Sequence, residues 1–155
     1  MPVKKVFSDL PSLKAGEKKE EYKSKPKNEY QKWLRKNNDH ILKNHKASNH
    51  REKTVNMIKN TKQGESVSES WKQRRRLEEN NPSYTILAGT RPHYHFAHPY
   101  DDRGLSVRER ARIQSFPDDF EFYGPITEKR IQTGNAVPPL MVKKIAKKIL
   151  SITNN

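Results

Sequence analysis

The chain has 155 residues, 31% of them hydrophobic and 32% charged, with a formal net charge of +14. Globular domains are roughly 45–50% apolar, so one small core is the most this chain can build, with part of it poorly ordered or some apolar surface covered by another chain. The absence of cysteine excludes disulfides, Cys-ligated zinc and a thiol nucleophile within these residues.

No apolar run approaches the roughly 20 residues of a membrane span, and no signal-peptide core follows Met1. A soluble, cytoplasmic protein with no membrane partner is the expectation. Residues 1–80 hold 21 Lys+Arg against 11 Asp+Glu, and residues 81–155 hold 11 against 7. A positive field of this kind favours phosphate partners, either nucleic acid or an anionic membrane surface.

In chain order, Val6, Phe7, Leu10 and Leu13 form a short apolar opening before the aperiodic "KAGEKKEEYKSKPK". That second stretch, charged and ending at Pro26, reads as loop or linker. From 28 to about 43, Tyr30, Trp33, Leu34, Ile41 and Leu42 fit one helical face, and 49–60 predicts a second short helix around Val55 and Ile58. Asn80-Asn81-Pro82-Ser83 is a turn signal, and Tyr84-Thr85-Ile86-Leu87 is β-prone. "TRPHYHFAHPY" follows, with His93, His95 and His98 at a spacing that fits no helix-based zinc pair, so no metal site is expected.

Ser106-Val107-Arg108-Glu109 is a capping box, and the helix it opens should run to about Ser115, stopping before Pro117. Phe116, Phe120, Phe122 and Tyr123 cluster after it. Arg108 and Arg112 lie four apart, close to Glu109, which suits structural ion pairing. Gln132-Thr133-Gly134-Asn135 reads as a polar turn, and Pro138-Pro139 suits the start of a last helix over 138–150. That helix carries Leu140, Met141, Ile145 and Ile149 on one stripe and Lys143, Lys144, Lys147 and Lys148 largely off it. The Gly-Asn turn either caps the helix start or serves a site, because glycine permits close backbone approach or positive φ and Asn135 offers an amide.

Three stretches resemble the C-terminal third of the DNA (cytosine-5) methyltransferases. "HPYDDRGLSVRERARIQSFPDDFEFYG" (98–124) is similar to that family's ninth motif and "QTGNAVPPLMVKKIA" (132–146) to its tenth. "FSDLPSLKAGE" (7–17) looks like the segment after the eighth. "NHKASNHREKTVNMIKNTKQGES" (44–66) is like the start of the target-recognition region in some members.

The resemblance implies an α+β chain: a small mixed recognition domain with few short strands, then C-terminal helices that complete a partner's Rossmann-like α/β methyltransferase domain. The implied division is an entry segment over 1–27, a DNA-recognition region over 28–97 and motif helices over 98–155. Gly134, Asn135, Ala136 and Val137 would lie beside S-adenosylmethionine. Arg74, Arg75, Arg76, Thr85 and Arg91 are the DNA-contact candidates, and Thr85-Ile86 resembles the family's Thr-Leu-type doublet. Ser106, Arg108, Glu109 and Arg112 would organise the recognition domain. Arg110 stands where members often carry a small residue.

The family's nucleophile is a cysteine in a Pro-Cys motif, which these residues lack, so the chain alone is expected to be inactive, with no catalytic residue of its own. The resemblance thus implies the smaller subunit of a split bacterial modification methylase, partnered by a catalytic subunit and double-stranded DNA. A stand-alone DNA-binding module or an inactive remnant is the competing class. A small basic RNA-binding protein is a third, but it leaves SFPDDF and GNAVPP unexplained.

Overall fold

The computed structural model describes residues 1–37, 41–69, 72, 74–88 and 96–153. Among them are helices α1 (Val3–Phe7), α2 (Glu29–Leu34), α3 (Glu52–Lys59), α4 (Val107–Ile113), α5 (Ile126–Asn135) and α6 (Pro139–Thr153). Two short strands, β1 (Arg75–Arg76) and β2 (Phe96–Ala97), pair in parallel with Arg75 opposite Phe96. Small helices with few short strands match the expected mixed class.

The opening segment is not a linker throughout. Val3, Val6, Phe7 and Leu10 join Leu42, Leu77, Ile86, Phe96 and Leu105 in the main core. α1 is also held to a distant stretch of the chain, where the amides of Val3 and Lys4 donate to the carbonyls of Asn81 and Glu79. Its apolar residues recur at helical spacing but span only one turn, too short a stretch for periodicity to separate from loop.

α2 starts as the sequence suggests, with the Asn28 side chain accepting from the Gln31 amide. It ends well short of residue 43 because the Leu34 carbonyl accepts the Asp118 amide at 2.7 Å, the bond a continuing helix would have used. Leu42 nevertheless reaches the core, whereas Ile41 is exposed. Residues 84–87 form no strand: Ile86 is buried and Tyr84 stacks on Phe96 with ring centroids 5.7 Å apart, but the segment makes no ladder.

α4 has the capping box in full. Ser106 Oγ accepts from the Glu109 amide at 3.2 Å, and Glu109 Oε2 accepts from the Ser106 amide at 2.7 Å. The helix ends in a Schellman arrangement with serine where glycine is usual. Ser115 has φ +61°, its amide donates to Arg112, and the Phe116 amide donates to Ala111. Ala111 and Phe116 meet in a second core cluster with Val107 and Phe122.

The first turn of α4 is buried together with its charges. Arg103, Arg108, Glu109 and Arg112 are all fully buried. Arg112 donates to Asp9 Oδ1 at 2.5 Å, to Asp118 Oδ2 at 2.5 Å and to the Val6 carbonyl at 3.0 Å. Burial alone would lower its pKa; the two carboxylates drive it well above the usual arginine value. Arg103 forms a two-pronged pair with Glu109, at 2.7 and 2.8 Å. Burial would raise the Glu109 carboxyl, yet Arg103 and the neighbouring histidines hold it far below its ordinary range. Arg108 donates to the carbonyls of Lys43, Pro117 and Phe120 and also lies 3.6 Å from Asp118 Oδ1.

His98 lies against this network, stacked on Phe7 with ring centroids 5.5 Å apart. Its Nδ1 accepts from the amides of Asp101 and Tyr100 at 2.9 and 3.3 Å, so the proton sits on Nε2 and the ring is neutral. Burial pushes its pKa down from 6.5 to about 4. The polar run 132–135 also departs from expectation: it is the last turn of α5, and Gly134 has no positive φ. α6 starts at Pro139, one residue later than predicted, and has no buried residue at all.

Two outcomes test this core. Asp9→Asn removes one of the two carboxylates that neutralise Arg112 and should cost about 3 kcal/mol, read as a lowered urea midpoint with an unchanged slope. For His98 the folded pKa is depressed, so its contribution is complete above pH 6.5 and disappears as the pH falls to about 4. Urea titrations across that window should show about 3 kcal/mol of lost stability from this group, and His98→Gln should flatten the slope.

Candidate nucleic-acid interface and the end of α5

The three consecutive arginines have three different environments. Arg76 is buried and structural, donating to the carbonyls of Ile58, Thr61 and Pro99 and pairing with Asp102 at 3.1 Å. Arg74 is half-buried. Arg75 is exposed: its Nη1 holds the Gly64 carbonyl at 3.0 Å, and its guanidinium lies 5.8 Å from the centre of the Tyr84 ring. The β1 register explains the split, because successive side chains on a strand point to opposite faces. Arg91, His93, His95 and Trp71 lie outside the described residues.

Arg75 lines an open cleft of about 530 Å³ with Lys72, Ser83, Tyr84, Thr85, Leu87 and Phe96. Two cations, three hydroxyls and the exposed Tyr84 ring make a lining able to take phosphate on one side and a planar ring on the other. Glu78 stands close by and accepts from the Tyr84 hydroxyl at 3.1 Å. Thr85 is exposed on this lining.

The tenth-motif residues stand elsewhere, at the end of α5. Asn135 and Val137 are exposed, while Gly134 and Ala136 are half-buried. Ala136 packs on the aromatic cluster of Phe116 and Phe122. A Cβ at Gly134 would stand 2.5 Å from the amide nitrogen and Cα of Ala88, so glycine here serves close backbone approach. Beyond it, Met141, Val142, Ile145, Ile149, Leu150 and Ile152 of α6 are between 47% and 64% exposed. The Leu140 amide donates to Ser115 Oγ at 3.1 Å, which ties the first turn of α6 to the end of α4.

Sequence reasoning missed three residues that hold these parts in place: Asp9 and Asp118, which neutralise Arg112, and Arg110. Arg110 is 2% exposed and donates to Thr133 Oγ1 at 3.1 Å and to the Leu87 carbonyl at 2.8 Å. The repeated Asp118-Asp119 beside an arginine-rich helix was a usable signal for the first network. Arg110 is marked only by the resemblance, as standing where members often carry a small residue, and its acceptors lie 23 residues away on either side.

Comparison with known proteins agrees with the fold and extends it. The model of the C-5 cytosine-specific DNA methylases matches residues 2–151. The type II methyltransferase M.NgoFVII of Neisseria gonorrhoeae is 56% identical over 81 residues, covering 50% of this chain and 21% of that protein. M.DdeI of Desulfomicrobium norvegicum is 35% identical across 95% of this chain and 42% of its own length. Against these two, the chain spans well under half of the relative's length. M.AquIB of Picosynechococcus is 41% identical over 124 residues, which cover 70% of this chain and 87% of that relative. A solved structure of a chain described as a prophage-encoded DNA modification methyltransferase (E. coli) superposes with a TM-score of 0.80. It is 24% identical and covers 99% of this chain and 47% of its own. The chain belongs to the C-5 cytosine-specific DNA methylase family.

Proposed function

We propose that these residues are the DNA-recognition and cofactor-side part of a cytosine-5 methylase, working with a catalytic half carried by a second polypeptide. The observation that carries this reading is the bare apolar face of α6, on a chain with no cysteine. A 15-residue helix with six large exposed aliphatic side chains is costly in water. In this reading the catalytic domain covers that face and supplies the missing nucleophile. The similarity to M.AquIB, a relative of about this chain's own length, supports a two-polypeptide arrangement.

In this reading duplex DNA lies along the basic cleft, with Arg75 and Thr85 as contact residues and Arg76 holding the fold behind them. Arg74 and Arg91 complete the contact set as proposed from the sequence. The methyl donor would be S-adenosylmethionine. Asn135, with an exposed amide, and Val137, with an exposed apolar side chain, fit one wall of such a site, and the half-buried Gly134 and Ala136 would shape its floor. The other walls belong to the catalytic half, as does the thiolate that attacks cytosine. Residues 28–97 then serve recognition and 98–155 the junction between the two halves. Arg108, Glu109, Arg112 and Ser106 touch neither DNA nor cofactor; they fix the helix from which both are hung.

The deciding measurement is transfer of labelled methyl groups to mixed-sequence duplex DNA, by this chain alone and with a polypeptide supplying the Pro-Cys and cofactor-loop motifs. Activity only in the mixture is expected, with co-elution on gel filtration. Ile145→Glu on the α6 face should abolish both co-elution and activity while leaving the affinity of this chain for DNA unchanged. DNA binding without assembly or activity would favour the stand-alone binding module instead.

A further inference from the structure

Residues 83–88 have two sides. Ser83, Tyr84, Thr85 and Leu87 face the cleft. Behind them the backbone is gripped from α4 and α5. Arg110 Nη2 donates to the Leu87 carbonyl at 2.8 Å and lies 3.3 Å from the Arg130 carbonyl, while its Nε donates to Thr133 Oγ1 at 3.1 Å. Thr133 Oγ1 in turn donates to the Arg130 carbonyl at 2.8 Å. Beside this grip, Gly134 lets the α5 backbone touch Ala88, and a Cβ there would also stand 2.6 Å from the Leu87 carbonyl carbon. No side-chain rotation could relieve that contact, because the three nearest atoms all belong to backbone.

The charge of Arg110 does not account for its presence. It is 2% exposed and its neighbour Arg130 is 7% exposed. Neither has a carboxylate partner among the described residues, and burial lowers both to about 10, with Arg130 adding to the shift of Arg110. A buried cation without a counter-ion is costly, and an apolar side chain of similar volume would avoid that cost. What arginine supplies and an apolar residue cannot is a planar fork with fixed donors, aimed here at two different segments.

We propose that Arg110, together with Gly134, is a positioning element that locks the cleft-lining segment 83–88 onto the end of α5. The surface reading DNA and the surface carrying Asn135 then move as one body. The functional half of this statement rests on the DNA reading of the cleft given above; the clasp itself does not.

The test uses the full chain. Arg110→Met keeps length and bulk but removes charge and donors. Amide hydrogen exchange, measured without DNA, should be about tenfold faster at residues 84–88 while α4 stays protected. Gly134→Ala, acting from the opposite side, should open the same amides. Duplex DNA affinity is then measured for Arg110→Met, Arg75→Ala and the double variant. If Arg110 acts by placing the cleft, the Arg75→Ala loss should shrink by about fivefold in the Arg110→Met background. A merely structural role gives additive losses, and additive losses or unchanged exchange over 84–88 would overturn the proposal. Should Arg110→Met fail to fold, Thr133→Val, which removes the one hydroxyl that accepts from Arg110 and donates to the Arg130 carbonyl, is read by the same criteria. Failure of the unmodified chain to bind duplex DNA would sink the DNA reading and leave the exchange data to decide the clasp.

Discussion

Arg112 is the residue through which most of this fold is tied together. Its guanidinium joins the end of α1 through Asp9 and the Val6 carbonyl, and the loop after α4 through Asp118. Asp9 also accepts from Arg35 at the end of α2, and Tyr22 donates its hydroxyl to Asp118. Tyr22 is covered by the Arg35 guanidinium 3.6 Å above its ring. Segments up to 112 residues apart thus converge on one buried cation. A chain that is 31% hydrophobic cannot define its interior by apolar burial alone, and the network supplies the missing constraint. Replacing such a set wholesale with apolar side chains can be neutral; removing one member leaves a buried charge unpaired. The arrangement therefore adds little net stability, while every broken version of it is penalised.

That distinction separates the two ends of the molecule. Around α4, polar groups are satisfied within the chain: Arg103 pairs Glu109, Glu109 closes the cap of Ser106, and Ser106 Oγ meets His45 Nδ1 at 3.0 Å. Around α6 the opposite holds, since the apolar face is left without cover by any described residue. A helix of this composition has little reason to stand alone, because its stability comes from packing an amphipathic face rather than from propensity. The rigid part and the unfinished part meet at Ser115, whose backbone ends α4 and whose hydroxyl accepts the Leu140 amide.

What could be read from the sequence was what is local. The capping box of α4 involves four consecutive residues and formed as read. The helix of α6 rests on a continuous amphipathic stripe, and its bounds moved by only a few residues. α2 failed because a distant amide, that of Asp118, took the carbonyl that would have extended it. The arginine triplet read as one basic patch, yet strand alternation sent Arg76 inward to four acceptors and Arg75 outward to the cleft. The candidate site was thus legible as a set of residue types in family order. Which of them face the cleft is set by a two-residue strand too short to be marked by any periodicity.

Gly134 shows the same limit from the other direction. Glycine and asparagine ahead of two prolines satisfy every local rule for a turn, and local rules weigh glycine by its freedom to take positive φ. Here the chain uses the other property of glycine, its missing Cβ, and keeps it inside a helix despite a propensity cost of about 1 kcal/mol. The cost is offset by letting two backbones touch at Ala88, which no other residue permits. With the turn gone, Asn135 is presented from a helix end instead of a loop. Its position is then fixed by the same packing that fixes residues 83–88, so whatever reads the cleft is held at a set distance from whatever contacts Asn135.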